Sequence, residues 1–179
     1  MRVFTAINFK PAAKHYLHGL AGKIASSYRD ARLTRLENLH MTIVFIGEAD
    51  RIKTGHVIKA LRETAKEIER FNIAVNGISS FRKKNKHTVI CTIRNSLEME
   101  KLHASTVRNL RKEGLEIEEV VFRPHITLAR QAELIANENT IKIPEQTLEV
   151  DEICVMESSR INGVLTYTPL AKFRLGVSE

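Results

Sequence analysis

Tryptophan is absent, and aromatic side chains make up only 6% of the 179 residues. A wide base-stacking platform is therefore not expected. There are two cysteines, Cys91 and Cys154, and they form no C-x-x-C pair. That excludes a disulfide framework and argues against a zinc cluster. Both lie in apolar, strand-like runs, HTVICTI and DEICVME, as small buried thiols of a reducing, cytoplasmic protein would. Eight glycines and four prolines, without tracts, exclude collagen-like and linker-dominated chains. No apolar run approaches the roughly 20 residues that cross a bilayer. The opening MRVFTAINFK lacks a signal-peptide layout, because its short apolar run passes straight into KPAAKHY.

What is abundant is positive charge. The formal net charge is +7 and the calculated pI about 9.6, which points to an acidic partner, nucleic acid being the commonest. The charge is uneven: residues 1–94 hold 18 Lys+Arg against 7 Asp+Glu, whereas residues 95–179 hold 10 against 14. One half can grip phosphates while the other stays neutral to acidic.

The periodicities predict an α+β protein. Val3 to Ile7 reads as a strand, and Pro11 opens an amphipathic helix over 11–28. HMTIVFIG (40–47) is a second strand, 54–70 a helix, and 72–81 a strand bent at Gly77. RKKNK (82–86) is a basic hairpin tip leading into the strand 87–93. Asn95 or Ser96 caps a helix over 97–112. Strands follow around 121–129 and over 147–156, and Asn162-Gly163 is a turn signal before the last strand.

The second half repeats the first. A shift of 85 residues lays His40 on His125, the helix 11–28 on 96–113, and Val3–Phe9 on Thr88–Arg94 without a gap. A second register, offset by 75, lays IAVNGISSF on LEVDEICVM, with a shorter segment at 131–140 in the second half. A strand–helix–strand–helix–strand unit thus appears twice. The expected architecture is two α+β lobes related by a pseudo-twofold axis, with antiparallel sheets flanking a central cleft and helices outside. No linker separates them, so residues 1–179 are expected to form one compact domain whose lobes share strands.

The repeat carries the same chemistry twice: His40-Met41-Thr42-Ile43 and His125-Ile126-Thr127-Leu128. On a strand, residues i and i+2 share a face, roughly 6–7 Å apart. Each His therefore stands beside its Thr, with the apolar neighbours turned into a core. One such motif would be a chance event. Two in matching repeat positions place two imidazoles and two hydroxyls around one cleft. Imidazoles titrate near neutrality and suit paired general acid and base work. Hydroxyls can donate to phosphate oxygens. Neither motif holds a carboxylate, and no metal-ligand cluster or cofactor-binding motif stands out, which suits metal-free phosphoryl chemistry.

HMTIVFIG and RPHITLAR resemble the paired H-x-T-x motifs of the 2H phosphoesterase superfamily. PHITLAR, with Pro124 before the His and Arg130 closing the strand, is similar to the branch of 2′-5′ RNA ligases and RNA 2′,3′-cyclic phosphodiesterases. The resemblance spans essentially the whole chain, more loosely in the C-terminal strands. It implies a metal-free, ATP-independent enzyme that opens RNA 2′,3′-cyclic phosphates to 2′-phosphomonoesters. It further implies that His125 is the base activating water, His40 the acid protonating the departing 3′ oxygen, and Thr42 and Thr127 the holders of the phosphate oxygens. The same cleft run in reverse would join ends through a 2′-5′ linkage, with high water concentration favouring hydrolysis.

Arg130 at the strand end and Arg123, two residues before His125, are further candidates for lining the cleft. Phe45 falls on the face opposite Thr42 if its strand is regular, and is expected in the core. His15, His18, His56, His87 and His103 have no matching partners and are expected on surfaces or helix faces. The expected partner is RNA bearing a cyclic phosphate end, bound by a monomer without membrane or metal. Two rivals stand beside this reading: a phosphodiesterase for small nucleotides, such as 2′-5′ oligoadenylate or a cyclic nucleotide, and a non-catalytic module that holds RNA ends.

Overall fold

The computed structural model describes residues 1–24, 27–118, 121–134 and 140–176. The chain runs β1 (Arg2–Asn8), α1 (Pro11–Ile24), β2 (Tyr28–Arg29), β3 (Arg32–Leu33), β4 (His40–Glu48), α2 (Arg51–Glu67) and β5 (Phe71–Lys83). It continues with β6 (Lys86–Ile93), α3 (Leu97–Lys112), β7 (His125–Leu134), β8 (Thr140–Val150), β9 (Glu152–Ile161) and β10 (Val164–Arg174). One sheet has the order β10-β9-β1-β4; the other has β2-β7-β6-β5-β8, with β3 also on β7. The pairings are antiparallel. The α+β class with paired antiparallel sheets is therefore as expected.

Local chemistry explains the elements. Ser96 accepts a hydrogen bond from the Met99 N–H at 3.3 Å and opens α3, and Asp50 does the same for α2 through the Lys53 N–H at 2.7 Å. Asn162 and Gly163 have φ of 51° and 79°, the left-handed pair that a tight β9–β10 hairpin requires. Met41 and Ile43 of β4, Ile126 and Leu128 of β7, and the inner faces of all three helices join one buried cluster. Fully burying one such side chain stabilises by about 1.5–3 kcal/mol. This pins both strands in register and turns His40, Thr42, His125 and Thr127 to the other face.

Three expectations need correction. Residues 147–156 are not one strand. The chain leaves β8 at Val150 and starts β9 at Glu152, because β8 pairs with β5 in one sheet and β9 with β1 in the other. Among the described residues, the second half has no counterpart of α2; it carries β8 where a helix was expected. The gapless 85-residue shift holds for β4 on β7 but fails for β1 on β6. Asn8 pairs with His40 and Ala6 with Thr42, while Thr92 pairs with His125 and Ile90 with Thr127, so these strands correspond at an offset of 84. One extra residue between β6 and α3 absorbs the difference. The offset of 75 is right for β5 on β9, since Ser79 meets Ile90 as Cys154 meets Ala6. Two boundaries also shift: the helix expected over 11–28 runs as Pro11–Ile24, with Tyr28 already in β2 and residues 25–26 outside the described residues, and the strand expected around 121–129 starts only at His125.

Candidate active site

His40 and His125 each occupy the first position of their strand. In both, the ring is held by the main-chain carbonyl two residues earlier. His40 Nδ1–H donates to the Asn38 carbonyl at 2.7 Å, and His125 Nδ1–H to the Arg123 carbonyl at 2.7 Å. Donation to a carbonyl fixes the proton on Nδ1 and leaves Nε2 as the nitrogen free for proton transfer. Thr42 Oγ1 lies 3.1 Å from His40 Nε2, where its hydroxyl donates to the neutral ring.

The surroundings of the two rings differ. His40 packs between Phe4 (5.0 Å between centroids) and Tyr167 (4.9 Å, edge-on). Burial there, reinforced by the nearby charges of Arg130, Lys14 and His125, lowers its pKa to about 4. His125 meets the edge of Phe81 at 5.2 Å. Asn38 ties the first site together. Its buried side chain donates to the Leu165 carbonyl at 2.9 Å and accepts from the Tyr167 N–H at 3.1 Å, while its own carbonyl holds His40.

Both motif strands are bulged directly after the Thr. Thr5 pairs with Val44 and Ala6 with Thr42, leaving Ile43 extra; Val89 pairs with Ala129 and Ile90 with Thr127, leaving Leu128 extra. A bulge re-aims the residues beyond it. Phe45 consequently stands opposite Phe4 on the cleft face and is 74% exposed, which overturns its expected place in the core. Arg130, at the matching position of β7, is likewise swung toward the cleft. A cavity of about 370 Å³ there is lined by His40, Thr127, Arg130 and Tyr167, together with Arg32, Arg35 and Arg160.

The structure thus brings His40, Thr42, Thr127 and Arg130 into one site, with His125 beside it. Arg123 differs from expectation. It precedes β7, so the strand-face argument does not apply to it; it lines a hollow with Pro124 and Phe81, the ring that meets His125, and it holds His125 through its carbonyl. Arg32, Arg35, Arg160, Tyr167 and Asn38 escaped sequence reasoning. They come from a two-residue strand, a turn and a distant hairpin, which no motif links. The other five histidines lie elsewhere: His87 bonds Ser80, His56 bonds Glu113, and His103 stacks on Phe122. Among the described residues, no group of three or more His, Cys, Asp or Glu is placed to hold a metal, and no helix is long and apolar enough to cross a membrane.

The model of the 2′-5′ RNA ligase superfamily matches residues 10–162. The chain belongs to that superfamily. A Thermotoga maritima relative named RNA 2′,3′-cyclic phosphodiesterase is 28% identical over 131 residues, 73% of this chain and 70% of the relative. A Methanothermobacter thermautotrophicus relative of the same name is 23% identical over 98% of this chain and 99% of its own length. Among solved structures, TT0787 of Thermus thermophilus superposes with a TM-score of 0.84 at 18% identity, covering all of both chains. Escherichia coli LigT, solved in complex with 3′-AMP, gives 0.74 at 21% identity, covering 97% of this chain and 96% of its own. At these identities the structural likeness concerns the fold.

Proposed function

We propose that this chain hydrolyses terminal 2′,3′-cyclic phosphates of RNA to 2′-phosphomonoesters. The observation that carries the reading is the paired imidazole geometry: two histidines, each with Nδ1–H on the carbonyl two residues earlier, so that each offers Nε2. A module that merely bound phosphate would need charge and donors, not two ring nitrogens oriented to take and give a proton. The names of the superfamily relatives supply the substrate class.

In the proposed step, His125 Nε2 takes a proton from water as the oxygen–phosphorus bond forms. The phosphorus–O3′ bond breaks, and His40 delivers a proton from Nε2 to O3′. Thr42 and Thr127 donate to the non-bridging oxygens, where charge builds. Burial keeps His40 neutral near pH 7. The acid is therefore loaded by the substrate: the phosphate's negative charge beside Nε2 favours the imidazolium, and Thr42 is released from the ring to the phosphate. Run backwards, the same groups would join ends through a 2′-5′ linkage. The protein is read as a cytoplasmic monomer with neither cofactor nor metal.

The test uses an RNA oligonucleotide ending in a 2′,3′-cyclic phosphate, with EDTA and without ATP. Release of a 2′-phosphate end, lost in His40→Ala and His125→Ala, is the expected result. A 3′-phosphate product would reverse the leaving oxygen. No turnover on RNA with turnover on 2′,3′-cyclic AMP would favour the small-nucleotide reading, which the modest cavity volume also suits.

A further inference from the structure

The cavity beside His40 is lined by four arginines, Arg32, Arg35, Arg130 and Arg160, and by no Asp or Glu. Two of them, Arg32 on β3 and Arg130 on β7, are direct cross-strand partners. Like charges placed opposite one another destabilise a sheet. Among the described residues neither has a carboxylate partner, although the chain holds 21 acidic residues. Arg35 pairs with Glu37 just outside the cavity, and Arg160 donates to the Gly163 carbonyl at 2.8 Å, which holds its guanidinium at the hairpin tip.

A cyclic phosphate carries one negative charge. The two threonines, the imidazoles and Arg130 already suffice for it. Three further guanidiniums around the same cavity exceed what one monoanion can use. They come from β3, the turn after it and the β9–β10 hairpin, none of them part of either His-Thr motif. The cyclic phosphate sits at the 3′ end of its strand, so the next anion along the substrate is the phosphodiester on its 5′ side.

We propose that Arg32, Arg35 and Arg160 bind the internucleotide phosphate adjacent to the reacting one, so that the enzyme selects an oligonucleotide end over a free cyclic mononucleotide. This rests on the cyclic phosphodiesterase reading above. Guanidiniums suit the task because their planar fork pairs with two phosphate oxygens at once.

The test compares kcat/KM for three substrates of one base: adenosine 2′,3′-cyclic phosphate, its 5′-phosphorylated form, and the dinucleotide ApA ending in a 2′,3′-cyclic phosphate. The dinucleotide is expected to lead the mononucleotide by on the order of 10–100-fold, as charge-assisted hydrogen bonds allow. The triple variant R32Q/R35Q/R160Q is expected to lose most of that ratio. An unchanged ratio in the variant overturns the proposal. The 5′-phosphorylated mononucleotide carries its phosphate on the same 5′ oxygen and is expected to share most of the gain; a gain from the dinucleotide with none from the 5′-phosphate would mean that the extra nucleoside is what is bound, and overturns the proposal. In parallel, equilibrium binding of 2′-AMP and of ApA 2′-phosphate separates the two readings. Arginine-dependent preference for the dinucleotide without any hydrolysis would sink the catalytic reading and leave the arginine track standing. Hydrolysis with no such preference would do the reverse.

Discussion

The two halves of the site share a backbone and differ in what surrounds it. His40 and His125 start matching strands, take the same carbonyl hold from residues 38 and 123, and precede the same bulge. Yet His40 is wedged between Phe4 and Tyr167 and bonded to Thr42, whereas His125 meets the edge of one ring, Phe81, among the described residues. Beyond the bulges, one half presents Phe45 and the other Arg130, again at matching positions. Matching strand pairings give the two histidines the same geometry, and different neighbours give them different surroundings.

The comparison breaks most sharply if either imidazole is removed. His40→Ala and His125→Ala are each expected to lower kcat by about 10²–10⁴-fold on RNA with a cyclic phosphate end. Because both serve one step, the double variant should be little worse than the more damaged single one. Full activity in either single variant would end the two-histidine mechanism. Next come the hydroxyls. Thr42→Ala and Thr127→Ala should each cost on the order of 10²-fold. Only the first should also move the pH–rate profile, because only Thr42 bonds its histidine. Equal displacement of both profiles would contradict the asymmetry.

The shared backbone was legible and the divergence was not. The H-x-T pairs, their strands, the Ser96 cap and the Asn162-Gly163 turn follow from local chemistry that a linear sequence displays. The bulges do not, because an extra residue in a ladder is visible only against its partner strand. Assuming a regular strand sent Phe45 into the core and missed why Arg130 reaches the cleft. The same blindness hid the one extra residue between β6 and α3, since the helix and the motif beyond it matched at 85. Arg32, Tyr167 and Asn38 were invisible for another reason. Their roles depend on contacts such as Asn38 with Tyr167, 129 residues apart in the chain.

The Phe45 and Arg130 pair gives a milder way to sharpen the contrast. Phe45 is exposed beside Phe4, whose ring centroid lies 6.2 Å away and in turn packs on His40. An exposed aromatic at a nucleic-acid site stacks a base, worth about 1–3 kcal/mol by alanine substitution. Phe45→Ala is therefore expected to raise KM for a cyclic-ended oligonucleotide, with little change in thermal stability because the side chain buries little area. Arg130→Ala should weaken binding as well, but with a smaller salt dependence of the remaining affinity, since a phosphate contact is lost. If Phe45→Ala unfolded the protein instead, its cleft-facing position would be wrong.

The smallest expected effect lies in stability rather than rate. His40 has its pKa lowered from 6.5 to about 4 by burial, so the folded state resists protonation that the unfolded chain accepts. The sign follows: the contribution is fully present above pH 6.5 and is lost progressively as pH falls toward 4, because the unfolded chain binds the extra proton there. Chemical denaturation across that window should show stability dropping with acidity, and His40→Ala should flatten part of the slope. Opening the pocket with Tyr167→Ala should shorten the same limb from its acid end, because water at the ring brings the folded-state pKa of His40 back toward 6.5. A slope indifferent to both substitutions would mean that His40 is as well solvated as an ordinary surface imidazole. Substrate charge would then not be needed to load the acid, and the chemical distinction drawn between the two halves would rest on Phe45 and Arg130 alone.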